Sequence, residues 1–314
     1  MSRGSAEGDH GSRMPGAPDR GRPPVPDVEE FEALRPLLFT VAYEMLEVAA
    51  DAEDVVQETW LRWSRVDPTT VHDHRAYLVR IVIRLSLNRF RTVARQRETY
   101  VGPWLPEPLL TVADVADDVE LADSVSTAML LVLQTLTPVE RAVFVLREVF
   151  DVPYDEIAEG VDRTPAAVRQ IAHRAREHVA ARRPRQRVDR SEHAAVLERF
   201  RVAADTGDLQ ALVDVLSPDV LLVTDGGGVR KAALRPILGR DKVLRFLSAV
   251  TPQDVDVDLR VEWVGGRPGL VAVIDGVVDS VITIDAVDGV VASLYFVRNP
   301  DKLTRLGDEV RLSR

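Results

Sequence analysis

The chain of 314 residues contains no cysteine. That excludes disulfides, thiolate metal sites and a cysteine nucleophile, and it fits a reducing compartment. No apolar run reaches 18 residues, so no transmembrane helix is expected, and the first residues lack the apolar stretch of a secretion signal. Catalytic signatures are missing too: there is no phosphate loop of P-loop spacing, no His-Glu-x-x-His and no Gly-x-Ser-x-Gly. The six histidines (10, 72, 74, 173, 178 and 193) precede the strand-like C-terminal runs, which leaves no metal cluster to expect there. Lysine is scarce, with Lys231, Lys242 and Lys302 only. From these absences a soluble, cytoplasmic protein without metal or cofactor is expected.

What is present is unevenly placed charge. The formal net charge of −10 argues, taken whole, against a nucleic-acid partner. Yet Arg75, Arg80, Arg84, Arg89, Arg91, Arg95 and Arg97 follow one another with no acid among them. A second island runs from Arg163 to Arg190, nine arginines against Glu177 and Asp189. Two basic islands in an acidic chain predict two places where phosphates are met.

Residues 1–27 are rich in Gly, Pro, Ser, Arg and Asp and are expected to form a disordered tail. From Val28 the periodicity is helical. The stretch Asp51-Ala-Glu-Asp-Val-Val-Gln-Glu-Thr-Trp-Leu-Arg-Trp63 predicts a helix with Asp51 as N-cap, an apolar face of Val55, Val56, Thr59, Trp60 and Trp63, and an acid-rich face of Glu53, Asp54, Gln57 and Glu58. A third helix, from His74 to about Arg97, turns Tyr77, Leu78, Ile81, Val82, Leu85 and Leu87 inward and its arginines outward. Residues 101–125 form a linker, since Pro103, Pro106 and Pro108 forbid regular helix while Trp104 and Leu105 offer apolar side chains for docking.

Residues 126–183 are helical again. Thr137-Pro138-Val139-Glu140 has the form of a capping box with Pro at the first helical position. A short helix from Tyr154, a turn at Gly160-Val161-Asp162 and a basic helix opened by Thr164-Pro165 make a helix-turn-helix pattern, although a helical hairpin with a solvated arginine face has the same form. Residues 184–191 form a basic hinge. Beyond it, helices at 191–204, 207–216 and 240–250 and strands at 220–224, 255–264, 270–274, 277–285 and 289–298 predict an α+β unit built on an antiparallel meander.

Several strings add a resemblance. DAEDVVQETWLRW is similar to the polymerase-docking helix of bacterial RNA polymerase sigma factors of the extracytoplasmic-function (ECF) type. LTPVERAVFVLRE, YDEIAE and AVRQIAHRARE resemble their region 4, and WLPEP resembles the linker of a subgroup, often called SigJ-type, with a fused SnoaL-like (NTF2-like) domain. That subgroup also carries an NPDKL, matched by Asn299-Pro300-Asp301-Lys302-Leu303, and a DGGGK, matched by Asp225-Gly226-Gly227-Gly228 with Val229-Arg230 inserted before Lys231.

The resemblance implies two all-α sigma domains, region 2 (residues 28–100) and region 4 (126–183), followed by a SnoaL-like α+β cone (192–314). It implies promoter-specific initiation with RNA polymerase core, through its clamp and flap regions, and promoter DNA as partners. It places Asp54, Gln57, Glu58 and Trp60 on the polymerase. Arg84, Asn88, Arg89 and Arg91 of the third helix would meet single-stranded DNA, with Arg84 and Asn88 departing from the family's usual Asn and Asp. Thr164, Arg169, Gln170, His173 and Arg174 would meet duplex DNA, where forked donors suit guanine edges and phosphates. Trp104, Leu105, Asp225, Gly226–Gly228, Lys231 and Asn299–Leu303 would be interdomain regulatory residues, and the cone leaves room for an unknown small ligand. On the residues alone, plain turns explain the glycines and the Asn-Pro pair equally well. The alternatives are a helix-turn-helix regulator with a ligand-sensing C-terminal domain, and a cyclase or isomerase using Asp225, Asp275, Asp279 or Asp285 as base.

Overall fold

The computed structural model describes residues 28–113, 115, 118–182, 189–250, 255, 257–304, 306 and 309–314. The expected tail at 1–27, residue 183 and residues 184–188 of the expected hinge lie outside them. The described chain runs α1 (Val28–Leu46), α2 (Ala49–Trp63), α3 (His74–Glu98), α4 (Val119–Ser124), α5 (Thr127–Leu133), α6 (Pro138–Glu148), α7 (Tyr154–Val161) and α8 (Pro165–Arg182). Then follow α9 (Arg190–Thr206), α10 (Leu209–Val215), β1 (Leu216–Asp225), β2 (Ile237–Leu238), α11 (Arg240–Val250), β3 (Val257–Val264), β4 (Arg267–Ile274), β5 (Val277–Val287), β6 (Val290–Val297) and α12 (Pro300–Leu303).

The helix starts follow local side-chain chemistry. Asp73, Asp118, Ser126 and Asp208 each accept a backbone N–H from their own first turn. Thr137 and Glu140 form the reciprocal capping box at α6. Because Asp118 caps α4, helix begins inside the stretch expected to be linker. One start differs from expectation. α2 begins at Ala49 rather than after Asp51, and its N-cap residue, Val48, has no side chain to offer. The orphan N–H of Ala49 donates instead to Glu107 Oε2 (2.8 Å), so the linker caps this helix.

Helices α1–α8 share a single hydrophobic core that runs from Phe31 through Trp63, Val82, Leu121 and Leu146 to Val179. The two helical units expected at 28–100 and 126–183 are thus packed on one another. Ile83, beyond the expected inward set on α3, is 2% exposed because α7 covers it. Gly160 permits that approach: a Cβ there would stand 3.1 Å from Ile83 Cδ1. Gly160 is therefore inside α7, and the left-handed turn residue is Asp162 (φ 55°). Each fully buried aliphatic side chain contributes about 1.5–3 kcal/mol, so this shared core holds the helices far more firmly than their propensities do.

The sheet order is β2-β1-β6-β5-β4-β3. β3 to β6 form the expected antiparallel meander, but β1 joins β6 in parallel, with Asp225 opposite Val297. One face of the sheet is covered by α9, α10 and α11 through Val196, Phe200, Leu212 and Val243. The other face, with Val223, Val271, Val281, Tyr295 and Val297, is covered by linker residue Leu105, by Leu303 and Leu306, and by Ala128 and Leu131 of α5.

Candidate interdomain and nucleic-acid interfaces

The linker enters the sheet face beside Asp225. This aspartate is fully buried at the end of β1, and three of its side-chain partners, Tyr100, Leu105 and Lys302, come from distant parts of the chain. Its Oδ2 accepts the Leu105 N–H (2.9 Å) and the Lys302 ammonium (2.8 Å). Its Oδ1 accepts the Tyr100 hydroxyl and the Gly227 N–H (3.1 Å). Asn299 Nδ2 donates to the Tyr100 oxygen (2.7 Å), and its Oδ1 caps α12 through the Asp301 N–H. Lys302 also donates to the Leu105 carbonyl (2.5 Å). Its Nζ lies 3.4 Å from the centroid of the Trp104 ring and 5.0 Å from that of Tyr100.

Burial lowers the Lys302 pKa to about 8 while Asp225 opposes the shift, which leaves the side chain charged at neutral pH. Burial, then Asp225, raises the Tyr100 phenol. The buried ion pair is thus satisfied on both sides, the condition under which such a pair is tolerated.

Gly227 has φ +63°, and a Cβ on it would stand 2.5 Å from Asn299 Cγ. Only glycine fits there. Gly228 faces Val101 of the linker, and Gly226 lies over the Arg230 carbonyl. Trp104 is half-buried, while Leu105 and Leu303 are buried. Pro300 opens α12 and Asp301 is exposed. Lys231 departs from expectation: it points away from the cluster and donates to the Ala249 carbonyl (3.0 Å). Lys302 is the cation that pairs with Asp225, because β6 runs parallel to β1 and delivers the segment after Val297 to the end of β1.

A second buried network joins region 2, the linker and region 4. Glu47, at φ 62°, accepts Arg97 (2.7 Å) and Gln134 (2.6 Å) on Oε2, and Arg141 of α6 lies 2.5 Å from its Oε1. Arg141 also donates to the Glu44 carbonyl (2.6 Å), and Ser124 donates to the Glu44 carboxyl (2.6 Å). Burial raises the Glu44 pKa to about 7 against the opposing effects of Ser124 and Arg141. The Arg97 guanidinium, 5.1 Å from the Trp104 ring centroid, links this network to the first. Arg97, expected in the first basic island and turned outward to phosphates, is instead held by the buried Glu47; Tyr100, Glu107 and Arg141 carry no such expectation from sequence. Glu107 lies within the WLPEP string, but nothing local marks Tyr100 or Arg141.

On α2, Asp54, Gln57 and Glu58 are exposed, whereas Trp60 is half-buried with its ring 4.9 Å from Phe31. Asp54 and Asp51 both pair with Arg89 of α3 (2.7 and 2.6 Å). Arg84 donates to the Glu159 carbonyl of α7 (2.9 Å), while Asn88 and Arg91 are exposed. In α8, opened by Thr164 accepting the Ala167 N–H, Val168, Ala172 and Ala175 face the core. Thr164, Arg169, Gln170, His173 and Arg174 are all exposed, and together they form one polar surface. No helix among the described residues is long and apolar enough to cross a membrane, and no group of three potential metal ligands occurs among them. Between α5 and the sheet, beside Asp285, Tyr295 and His193, is a cavity of only about 10 Å³, space for one water molecule.

Residues 31–96 match the sigma-70 region 2 family and residues 126–179 the sigma-70 region 4 family. The chain is 39% identical over 297 residues to the ECF RNA polymerase sigma factor SigJ of Mycobacterium tuberculosis H37Rv, covering 88% of this chain and 93% of that protein. It is 30% identical over 283 residues to a probable ECF RNA polymerase sigma factor, SigI, of M. tuberculosis CDC 1551, covering 89% and 96%. The crystal structure of M. tuberculosis SigJ is similar with a TM-score of 0.71 at 36% identity, over 88% of this chain and 98% of that one. The chain belongs to the extracytoplasmic-function RNA polymerase sigma factors, the proteins of transcription initiation to which its docking-helix and helix-turn-helix strings point.

Proposed function

We propose that this sigma factor directs polymerase to its promoters with the exposed faces of α2, α3 and α8, and that its C-terminal cone governs the process by holding the linker between regions 2 and 4. Family membership implies RNA polymerase core and promoter DNA as partners, and a place of work where both are found, the cytoplasm. The acid face of α2 (Asp54, Gln57, Glu58) is assigned to the polymerase clamp, with Trp60 supporting it from behind. The exposed set on α8 is assigned to the upstream promoter element beside the polymerase flap, and Arg84, Asn88, Arg89 and Arg91 to the downstream one. The cone acts by contact and turns over no substrate.

The observation that carries the regulatory part is the buried cluster on Asp225. Leu105 N and O, the Trp104 ring and Tyr100 of the linker region are all held by Asp225, Lys302 and Asn299 of the cone. A linker gripped in this way fixes the distance between the two DNA-facing helices, a rigid-body mode of control. The test is run-off transcription with purified core polymerase by the intact protein, by a chain ending after Arg182, and by Gly227→Trp. The two altered proteins are expected to differ from the intact one at least severalfold on the same promoter. Equal activity of all three would falsify control by the cone.

A further inference from the structure

Beyond the Asp225 cluster, the cone touches the linker a second time, on the edge of its sheet. β3 is the last strand of the sheet, and at its end the linker adds itself as a further strand: the Thr111 N–H donates to the Trp263 carbonyl (2.9 Å), Leu110 bridges Val264, and the Gly265 N–H donates to the Leu109 carbonyl (2.9 Å). The Gly266 N–H donates to Thr111 Oγ1 (3.0 Å). On the outer side of the linker lies yet another short strand. The Val310 N–H donates to the Leu110 carbonyl (2.8 Å), and Val310 bridges Thr111 in parallel. Linker residues 109–111 therefore lie between two single bridges, with the cone's sheet on one side and residues 309–314 on the other.

Those six residues connect two cores. Leu303 and Leu306 lie in the core between linker and cone, whereas Leu312 is 7% exposed in the core shared by α1–α8. Exposure alternates as in a strand from 309 to 312, with Glu309 and Arg311 exposed, Val310 half-buried and Leu312 buried; Ser313 is half-buried and Arg314 exposed. The Ser313 N–H donates to Thr40 Oγ1 of α1 (3.2 Å). Arg314 pairs with Asp118 (2.5 Å) and with Glu120 at the start of α4.

We infer that residues 309–314 form a clasp that keeps linker residues 109–111 on the edge of β3 and seats that joint against α1 and α4, so that the linker leaves the cone only when this short strand is undone. The regulatory consequence rests on the reading that the cone governs the linker; the clasp itself does not. One buried leucine, the half-buried Val310 with its bridge, the Ser313–Thr40 bond and a solvent-facing arginine hold it, whereas the Asp225 cluster is centred on a fully buried carboxylate and a buried ammonium. An edge strand with so little buried is the place where local opening starts. On this reading a linker held at Leu105 opens first from the 109–111 end.

The test uses the full chain. Val310→Pro removes the donor to Leu110, and Leu312→Asp removes the apolar anchor; Arg311→Ala, at an exposed position of the same strand, is the control. Hydrogen exchange by mass spectrometry is followed in peptides covering residues 107–112 and 263–267, with those of β5 and β6 as internal reference. At least tenfold faster exchange at Thr111 and Gly265 is expected in both variants, with β5, β6 and the control unchanged. Wild-type exchange at those two amides overturns the clasp. If exchange in β5 and β6 rises as well, the milder Leu312→Ala decides by the same criterion. Run-off transcription on the same proteins separates the two readings: faster linker exchange with unchanged transcription leaves the clasp standing and removes control by the cone.

Discussion

A lysine ammonium buried between two aromatic rings needs a counter-charge within reach, and Lys302 has it in Asp225. With the lysine removed, the carboxylate stays buried and keeps only neutral donors. Breaking a buried pair from one side costs about 3–5 kcal/mol. Lys302→Met is expected to lower stability by that order, read as a fall in the urea midpoint, and to change the fluorescence of Trp104. An unchanged midpoint would mean that the pair adds nothing. Lys231, although closer in sequence to the glycines, is outside this cluster, and Lys231→Met is expected to leave the midpoint within about 0.5 kcal/mol of the parent, as for an ordinary surface change.

Among the elements, α2 and α3 are bound to each other by the charges assigned to their partners. Arg89, expected on DNA, lies on Asp51 and Asp54, of which Asp54 is expected on polymerase. The Arg89–Asp54 pair is between solvent-exposed groups and is weak, of the order of 0–1 kcal/mol, so a stronger basic partner displaces it, while Asp51 is the more buried partner of Arg89. Asp54→Arg with Glu58→Arg is expected to weaken binding to core polymerase at least tenfold with helix content retained, since the substitutions fall on the exposed face of a helix held by Val55, Val56 and Trp63. Binding measured by fluorescence anisotropy at two salt concentrations checks this; affinity equal to the parent's would remove α2 from the polymerase interface.

At the scale of the whole molecule, regions 2 and 4 are closed on one another through Glu44, Glu47, Arg97 and Arg141. Glu44 makes this closure sensitive to pH. Its carboxyl is held at about 7 by burial, above the 4.5 of a solvated glutamate, so the closed state keeps a proton that the opened state loses. Stability falls as pH rises from about 4.5 to about 7 and levels off above, by on the order of 3 kcal/mol in all. Glu44→Gln is expected to remove this limb. Urea midpoints of both proteins between pH 5 and 8 check it: their difference changes with pH if Glu44 titrates in the closed state, and stays constant if it does not.

Much of this arrangement is legible along the chain because it is local. The Thr137–Glu140 capping box, the short helix from Tyr154, the helix opened by Thr164-Pro165 and the outward arginines of α8 follow from residues within four positions of one another. The strings of region 2 and region 4 carry the family for the same reason. The joints between parts are different. Asp225 meets Tyr100, Leu105 and Lys302 from 125, 120 and 77 residues away, and only the parallel register of β1 on β6 decides that Lys302, not Lys231, arrives there. The cap on α2 is likewise tertiary: Asp51 has the right chemistry for an N-cap, but Glu107 reaches the first free N–H and leaves Asp51 to Arg89. Local hydrogen bonds and periodicity determine where helices begin and which faces they bury. The burial of Glu44, Glu47 and Arg141 at 0% exposure depends on which helix packs on which, a sum of many weak contacts that no short stretch of sequence contains.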